Sequence, residues 1–225
     1  MRVLITAGPS SEPIDEVRVI TNRSTGELGT LLAESLTRAG HGVEMLLGQG
    51  ATFRWNGARF FGTNQELEQL LTGVQKPDAI DIVFHAAALT DFRVKQIHAN
   101  ESRQPVPKIA SDGGSVWLEL VPQPKVIAKL RSYFPKARII GWKYEHGITR
   151  DEVLLEAARQ IQKNGTDACV VNGRAFGPGF GICTSAGLIA TCDSKVALAH
   201  FFVGWIKENA GNGANVDSAG NRRAW

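Results

Sequence analysis

Short apolar runs alternate with longer segments of helical period along most of this chain. RVLITA opens it as a strand, and a helix is expected from about residue 26 to 39. VEMLLG reads as a second strand, RFFGT as a short third, QELEQLLTGV as a helix and DIVFHAAAL as a continuous apolar strand. PKVIAKLRSYF reads as a helix and ARIIGWKYE as a strand. RDEVLLEAARQIQKN is amphipathic, with Val153, Leu154, Ala157, Ala158 and Ile161 on one side, and ACVVN follows as a strand. Residues 184–192 are expected to form one antiparallel edge strand before a last helix, KVALAHFFVGWIKEN. Apolar runs without alternation belong to strands covered on both faces. Their alternation with helices predicts an α/β fold, a doubly wound, mostly parallel, Rossmann-like sheet. Ligands in such sheets bind beyond the carboxyl ends of the strands. Those ends are Gly8, residues 86–91, residues 141–145 and Asn172.

Two segments break the pattern. The first strand and first helix are joined by about fifteen polar, Pro- and Asn-containing residues rather than by a short Gly-rich turn. Later, DFRVKQIHANESRQPVPKIASDGG precedes an alternating strand, SVWLELV. That excursion, about residues 92–121, is long for a crossover and has no helix of its own; such segments usually serve function. A hairpin-like flap is expected, with SDGG as its turn. The stretch AGNGANVDSAGNRRAW is rich in Gly and Asn and poor in apolar residues. It reads as a disordered tail over residues 208–225, leaving one domain over 1–207.

Composition narrows the classes. A chain of 225 residues is long enough for one well-buried core. The net charge of +3 is too small and too mixed to argue for nucleic acid. Cys169, Cys183 and Cys192 form no C-x-x-C pair, which suits free, buried thiols in a reducing compartment. The N-terminal apolar run passes directly into a turn without a cleavage signature. No segment has the ~20 continuous apolar residues of a membrane span. A cytoplasmic enzyme without a membrane partner is expected.

Candidate chemistry clusters in NRSTGELG. Ser24 lies three residues before Glu27, the spacing of a capping box. Alternatively, Ser24, Thr25 and the amides of Gly26 and Glu27 cradle a phosphate at the helix start. Glu27 would repel an anion there unless it points away. Asn22 closes a turn or donates to a developing oxyanion. Asp91 caps the next segment, or meets a ribose hydroxyl or a metal. Lys108, in the flap, is a lone lysine, a type that is usually a solvated surface group.

TAGPSSEPIDEVRVITNRSTGELG resembles the signature TAG-x-T-x-E-P-I-D-x-V-R-x-I-T-N-x-S-S-G of the phosphopantothenoylcysteine synthetase (phosphopantothenate–cysteine ligase) family. HAAALTDFR resembles that family's AAAVADYR, and PKIAS with LELVPQPKVI resembles its KIKK and L-x-L-x-x-x-P-x-I-L. IIGWKYE resembles VGFKxE, and DACVVN resembles D-x-I-VAN. The resemblance runs in order over about residues 1–205. It implies a coenzyme A biosynthetic ligase. Phosphopantothenate's carboxylate attacks the α-phosphate of CTP or ATP, and cysteine's amine then displaces the nucleotide from the acyl-nucleotidylate. It implies that Asn22 serves the acyl-nucleotide intermediate and that Lys108 reaches the triphosphate or activated carbonyl. Ser24, Thr25 and Gly26 would form the phosphate turn. Ala87, Ala88 and Asp91 would line the nucleotide pocket, with Trp142 near the base and Lys163, with Arg159, near the triphosphate. Mg²⁺ would accompany the nucleotide, and a homodimer is implied. A flavin is not expected, because the chain begins at the synthetase signature.

The chain departs from the pattern where charge matters. KIKK becomes Lys108-Ile109-Ala110-Ser111, and the phosphate turn carries Glu27 where a lysine is common. Lys143 and Arg174 are candidates to compensate. Two other readings stay open. An NAD(P)-dependent reductase of the doubly wound class would need the glycine fingerprint and an acidic second-strand end, and the strand ends LLGQG. A non-catalytic nucleotide-binding protein would tolerate the thinner positive charge.

Overall fold

The computed structural model describes residues 1–99, 108–109 and 114–210. In chain order the elements are β1 (Arg2–Ala7), β2 (Ser11–Pro13), β3 (Val19–Thr21), α1 (Glu27–Arg38), β4 (Gly42–Gly48), β5 (Arg59–Phe61), α2 (Asn64–Thr72) and β6 (Ile82–His85). They continue as β7 (Phe92–Ala99), β8 (Val116–Pro122), α3 (Ile127–Tyr133), β9 (Arg138–Tyr144), α4 (Arg150–Asn164), β10 (Ala168–Asn172), β11 (Phe180–Thr184), β12 (Gly187–Cys192) and α5 (Lys195–Ala210).

The central sheet has the order β12-β11-β10-β9-β6-β1-β4-β5. The six strands from β5 to β10 are parallel, as the unbroken apolar runs predict, and β11 and β12 are antiparallel. The chain winds from β1 outward through β4 to β5, then returns to the other side of β1 as β6. The strand order therefore reverses between β1 and β6, where such sheets open a crevice.

Successive side chains along β1 serve opposite faces. Val3, Ile5 and Ala7 pack with Leu32 and Leu36 of α1 and with Leu198 and Phe202 of α5. Leu4 packs with Leu67 and Leu71 of α2 and with Leu130 and Phe134 of α3. On α4, Val153, Ala157 and Ile161 cover Cys169, Val171 and Cys183, whereas Ala158, expected on that side, is exposed. All three cysteines are free thiols. Burial pushes the Cys183 thiol up to about 11, and that of Cys169 higher still, so neither is a nucleophile.

The structure differs from the sequence reading at several points. The edge expected as one strand is a hairpin of two, β11 and β12, turned at Ser185-Ala186 with Gly187 in the left-handed region at φ 101°. The first long connection contains an unforeseen hairpin, β2–β3, whose strands are too short to show alternation. The flap is the expected antiparallel ribbon, β7 paired with β8, separate from the main sheet. Its SDGG turn lies largely outside the described residues, as does the expected tail beyond Ala210. No helix among the described residues is long and apolar enough to cross a membrane.

Candidate active site

A cleft of about 960 Å³ opens where the strand order reverses. It lies beyond the carboxyl ends of β1, β6 and β9 and below the start of α1. The loop leaving β6 is held as a continuation of the sheet. Ala86 N–H donates to Thr6 O at 2.9 Å, Ala88 N–H to Gly8 O at 2.9 Å, and Ser10 N–H to Ala88 O at 3.1 Å. Buried Ser10 and Thr90 tie its end: Thr90 N–H donates to Ser10 Oγ at 2.9 Å, and Asn64 Nδ2 donates to Thr90 O at 2.8 Å. These bonds answer the backbone groups that a buried loop would otherwise leave unpaired.

Asn22 follows β3 and donates from Nδ2 to Leu89 O at 2.8 Å, so the hairpin delivers it onto this loop. Asp91 pairs with Lys125 at 3.3 Å across the exposed rim.

Of the two readings of Ser24, the capping box with Glu27 does not form. The N-cap of α1 is Gly26, left-handed at φ 78°, with no side-chain cap. A Cβ on Gly26 would lie 2.9 Å from the Cβ of Ala51, so the turn needs glycine for space as well as for conformation. Thr25 O accepts the N–H groups of Thr52 and Phe53, both at 3.0 Å, which pins the turn. Ser24 is thus left free to face the cleft, and the first-turn amides of α1 have no intrahelical acceptors. Glu27 carries its charge away from the turn into an ion pair with Lys195, the first residue of α5.

Half-buried Trp142 lines the cleft and packs on the buried aromatic core behind it. Trp142 meets Phe84 and Phe202 at centroid distances of 6.2 and 6.3 Å. Its Nε1 is buried with no partner among the described residues, a donor left for a ligand or a water. His85 Nδ1 bonds Thr6 Oγ1 at 2.8 Å. Burial pushes the His85 pKa down to about 4, so its imidazole is neutral at physiological pH.

Of the residues singled out in the sequence, Asn22, Ser24, Thr25, Gly26, Ala87, Ala88, Asp91 and Trp142 all line this one cleft. Lys163 does not: it is exposed on the last turn of α4 and is not among the lining residues. Lys108 is exposed and is also not among the lining residues. Sequence reasoning missed Arg23, His85, Lys125 and Lys195, which do line it. Lys195 had a legible signal, since Ser194 caps α5 by accepting Ala197 N–H at 3.1 Å. Lys143 lines the cleft beside Trp142 and pairs with Glu145 at 2.9 Å. Arg174 lines an adjoining pocket of about 690 Å³ that shares Tyr144, Phe180 and Lys195 with the cleft. Among the described residues no group of three or more His, Cys, Asp or Glu is placed to hold a metal.

Comparison with known proteins agrees with this geometry. Residues 1–200 match the family model of the DNA/pantothenate metabolism flavoprotein C-terminal domain. The chain is 35% identical over 179 residues to the coenzyme A biosynthesis bifunctional protein CoaBC of Thermococcus kodakarensis, covering 78% of this chain and 42% of that protein. It thus spans less than half the length of this relative. Among solved structures, a DNA/pantothenate metabolism flavoprotein from Streptococcus pneumoniae superposes with a TM-score of 0.79 at 24% identity, covering 92% of this chain and 99% of that one. A Cab2 variant in complex with phosphopantothenate-cysteine superposes with a TM-score of 0.68 at 16% identity, covering 94% and 86%. The motifs, the sheet order and the family match agree, and the chain belongs to the DNA/pantothenate metabolism flavoprotein C-terminal domain family.

Proposed function

We propose that this domain is a phosphopantothenate–cysteine ligase that works through an acyl-nucleotidylate. The observation that carries the reading is the convergence of Asn22, the residue 24–26 turn and the residue 87–91 loop on one cleft, with Asn22 bonded directly to that loop. The names of the CoaBC relatives and the ligand of the Cab2 complex support the same chemistry.

In the first step, an oxygen of the phosphopantothenate carboxylate forms a bond to the α-phosphorus of CTP or ATP, and the bond to the pyrophosphate leaving group breaks. In the second, the cysteine amine attacks the acyl carbon, an amide forms, and nucleoside monophosphate leaves with a proton lost from nitrogen. Both reactants of the first step are anions, so positioning and charge neutralisation dominate. The first-turn amides of α1 with Ser24 and Thr25 hold phosphate oxygens, and Lys195 adds charge beside them. Trp142 and the Ala87–Ala88 backbone receive the base, while Asp91 faces the ribose. Asn22 donates to the carbonyl oxygen as charge develops there. Lys108 supplies a further cation to the transferring group. A nucleotide-bound Mg²⁺ would supply charge screening at the phosphates; of the lining carboxylates, Glu27 is taken up by Lys195, and Asp91, on the exposed rim with Lys125, is the one that would reach it.

The protein is expected to act in the cytoplasm. A homodimer is expected because one face of the β7–β8 ribbon exposes Val116 at 39%, Leu120 at 42% and Phe92 at 50%, an apolar face that a second copy would cover. A non-catalytic nucleotide-binding role is favoured by one observation: Lys125, Lys143 and Lys195 each already hold a carboxylate.

The test is pyrophosphate release with Mg²⁺, 4′-phosphopantothenate and L-cysteine, run in parallel with CTP and ATP. Release that requires phosphopantothenate, with amide product on adding cysteine, supports the ligase and names its nucleotide. Nucleotide binding without release supports the non-catalytic reading.

A further inference from the structure

The hairpin β2–β3 has polar side chains that its own fold does not fully use. Its turn closes through Asp15 Oδ1, which accepts the N–H groups of Val17 at 2.9 Å and Arg18 at 2.7 Å. Such a turn needs one side-chain oxygen, and Asn makes it as well as Asp. The second oxygen of Asp15 turns elsewhere. Oδ2 accepts the backbone N–H of Ile109 at 3.1 Å and Arg18 Nη1 at 3.1 Å. Arg18 Nη2 in turn donates to Ile109 O at 3.0 Å. Both backbone polar groups of Ile109 are therefore gripped by a residue pair more than ninety positions away.

The grip is built rather than incidental. The Asp15 side chain is 0% exposed, a placement that costs free energy unless the carboxylate is fully hydrogen-bonded. Burial alone would raise its pKa, yet the N–H groups of Ile109, Val17 and Arg18 and the Arg18 guanidinium hold it below the usual carboxylate value. The Ile109 side chain is itself buried at 4%. Immediately before it, Lys108 is exposed and has no carboxylate partner among the described residues, unlike the three lysines of the cleft. The same hairpin is fixed at two other points: Val94 N–H donates to Glu12 Oε1 at 2.9 Å, and Asn22 at its exit holds Leu89. The hairpin thus carries Asn22 at its exit and holds the Ile109 peptide, next to Lys108, at its turn.

We propose that Asp15 is a positioning residue for Lys108: it clamps the peptide of Ile109 to the hairpin that carries Asn22, so that the lysine and the asparagine are held in one frame. The proposal rests on the ligase reading for the role of Lys108, and it assigns a task to the second oxygen of a carboxylate that the turn alone does not require. Arg18 completes the clamp, and its guanidinium is the counter-charge that lets Asp15 be buried.

The test compares wild type, Asp15→Asn, Lys108→Gln and the double variant in pyrophosphate release, with backbone amide exchange at Ile109 read separately. Asp15→Asn keeps the turn-closing oxygen but puts an amide donor where the clamp needs an acceptor, and Asp15→Ala serves as the harsher variant; melting temperatures check that each variant is folded. A misplaced group of this kind costs on the order of 10–100-fold in rate. The expected result is a loss of that size in Asp15→Asn, faster exchange at Ile109, and a double variant no slower than Lys108→Gln alone. That non-additivity marks two residues acting through one group, which a purely structural role would not produce. Additive losses, or lost protection at Ile109 with undiminished release, overturn the positioning role and leave the ligase intact. Silence of the wild type with both nucleotides overturns the ligase reading and the positioning role with it, and Ile109 exchange, which needs no turnover, still reports whether the clamp exists.

Discussion

Glu27, on the first turn of α1, and Lys195, the first residue of α5, are 168 positions apart and meet in an ion pair at the rim of the cleft. The pair exists because α1 and α5 lie side by side on one face of the sheet, sharing Leu32, Leu36, Leu198 and Phe202. It resolves the conflict that Glu27 poses in the sequence. A carboxylate at a helix start repels an anion, but this one is neutralised from the neighbouring helix.

Lys195→Gln is expected to weaken nucleotide binding, because it removes a cation and leaves Glu27 bare beside the phosphate turn. The expected loss in affinity is on the order of ten-fold, larger at low salt. Adding Glu27→Gln to that variant should recover part of it. Both side chains are partly exposed, so thermal stability should move little. Titration calorimetry with CTP and ATP at two ionic strengths checks this; equal affinities in wild type and Lys195→Gln would refute it.

His85 is expected to give the fold an acid-sensitive limb. Its folded pKa is depressed from 6.5 to about 4. Between those values the unfolded chain binds the proton and the folded one does not, so stability falls as pH is lowered through the window. The fall should reach about 2–3 kcal/mol between pH 7.5 and 4.5. In His85→Gln, which can still bond Thr6, that component should vanish. Urea unfolding at the two pH values measures it, and an identical fall in the variant would rule the assignment out.

Gly29 is expected to be a packing requirement. A Cβ there would lie 2.2 Å from the Cβ of Ala7, so α1 must sit directly on β1. Gly29→Ala should push them apart at a cost of about 1–3 kcal/mol. Gly204→Ala, in α5 with no atom within 4 Å of the added carbon, should stabilise by about 0.5–1 kcal/mol. Opposite shifts in melting temperature are the signature.

Asn22→Ala should lower pyrophosphate release on the order of 10²–10³-fold, the usual effect of losing an oxyanion donor. The side chain is exposed and makes one hydrogen bond, to Leu89 O. The melting temperature should therefore drop by no more than about 2–4 °C. A rate unchanged within a factor of two would remove Asn22 from the mechanism.

Much of the fold was legible because it is local. The unbroken run in RVLITA marks a strand covered on both faces, and β1 is buried from Val3 to Ala7. The period of RDEVLLEAARQIQKN places Val153, Ala157 and Ile161 inward, as observed. The β2–β3 hairpin was not legible, since three-residue strands show no period and its polar residues bond to distant partners. The helix α1 starts where the period predicts, but which of its two readings Ser24 would follow was not legible. Ser24 and Glu27 have capping-box spacing, but the left-handed Gly26 is the N-cap and Glu27 finds Lys195 instead.

The sequence by itself determined the class of fold, the order of its main strands and helices, and the turn at residues 24–26 and loop at residues 86–91 as the candidate site. Those features follow from backbone periodicity, turn chemistry and a contiguous signature, all of which act over a few residues. Only the tertiary structure decided that eight of those residues share one cleft, that His85 is neutral, that the cleft lysines are ion-paired, and that Asp15 reaches Ile109. Charge neutralisation and desolvation depend on which side chains the packed sheet and helices bring together across the chain.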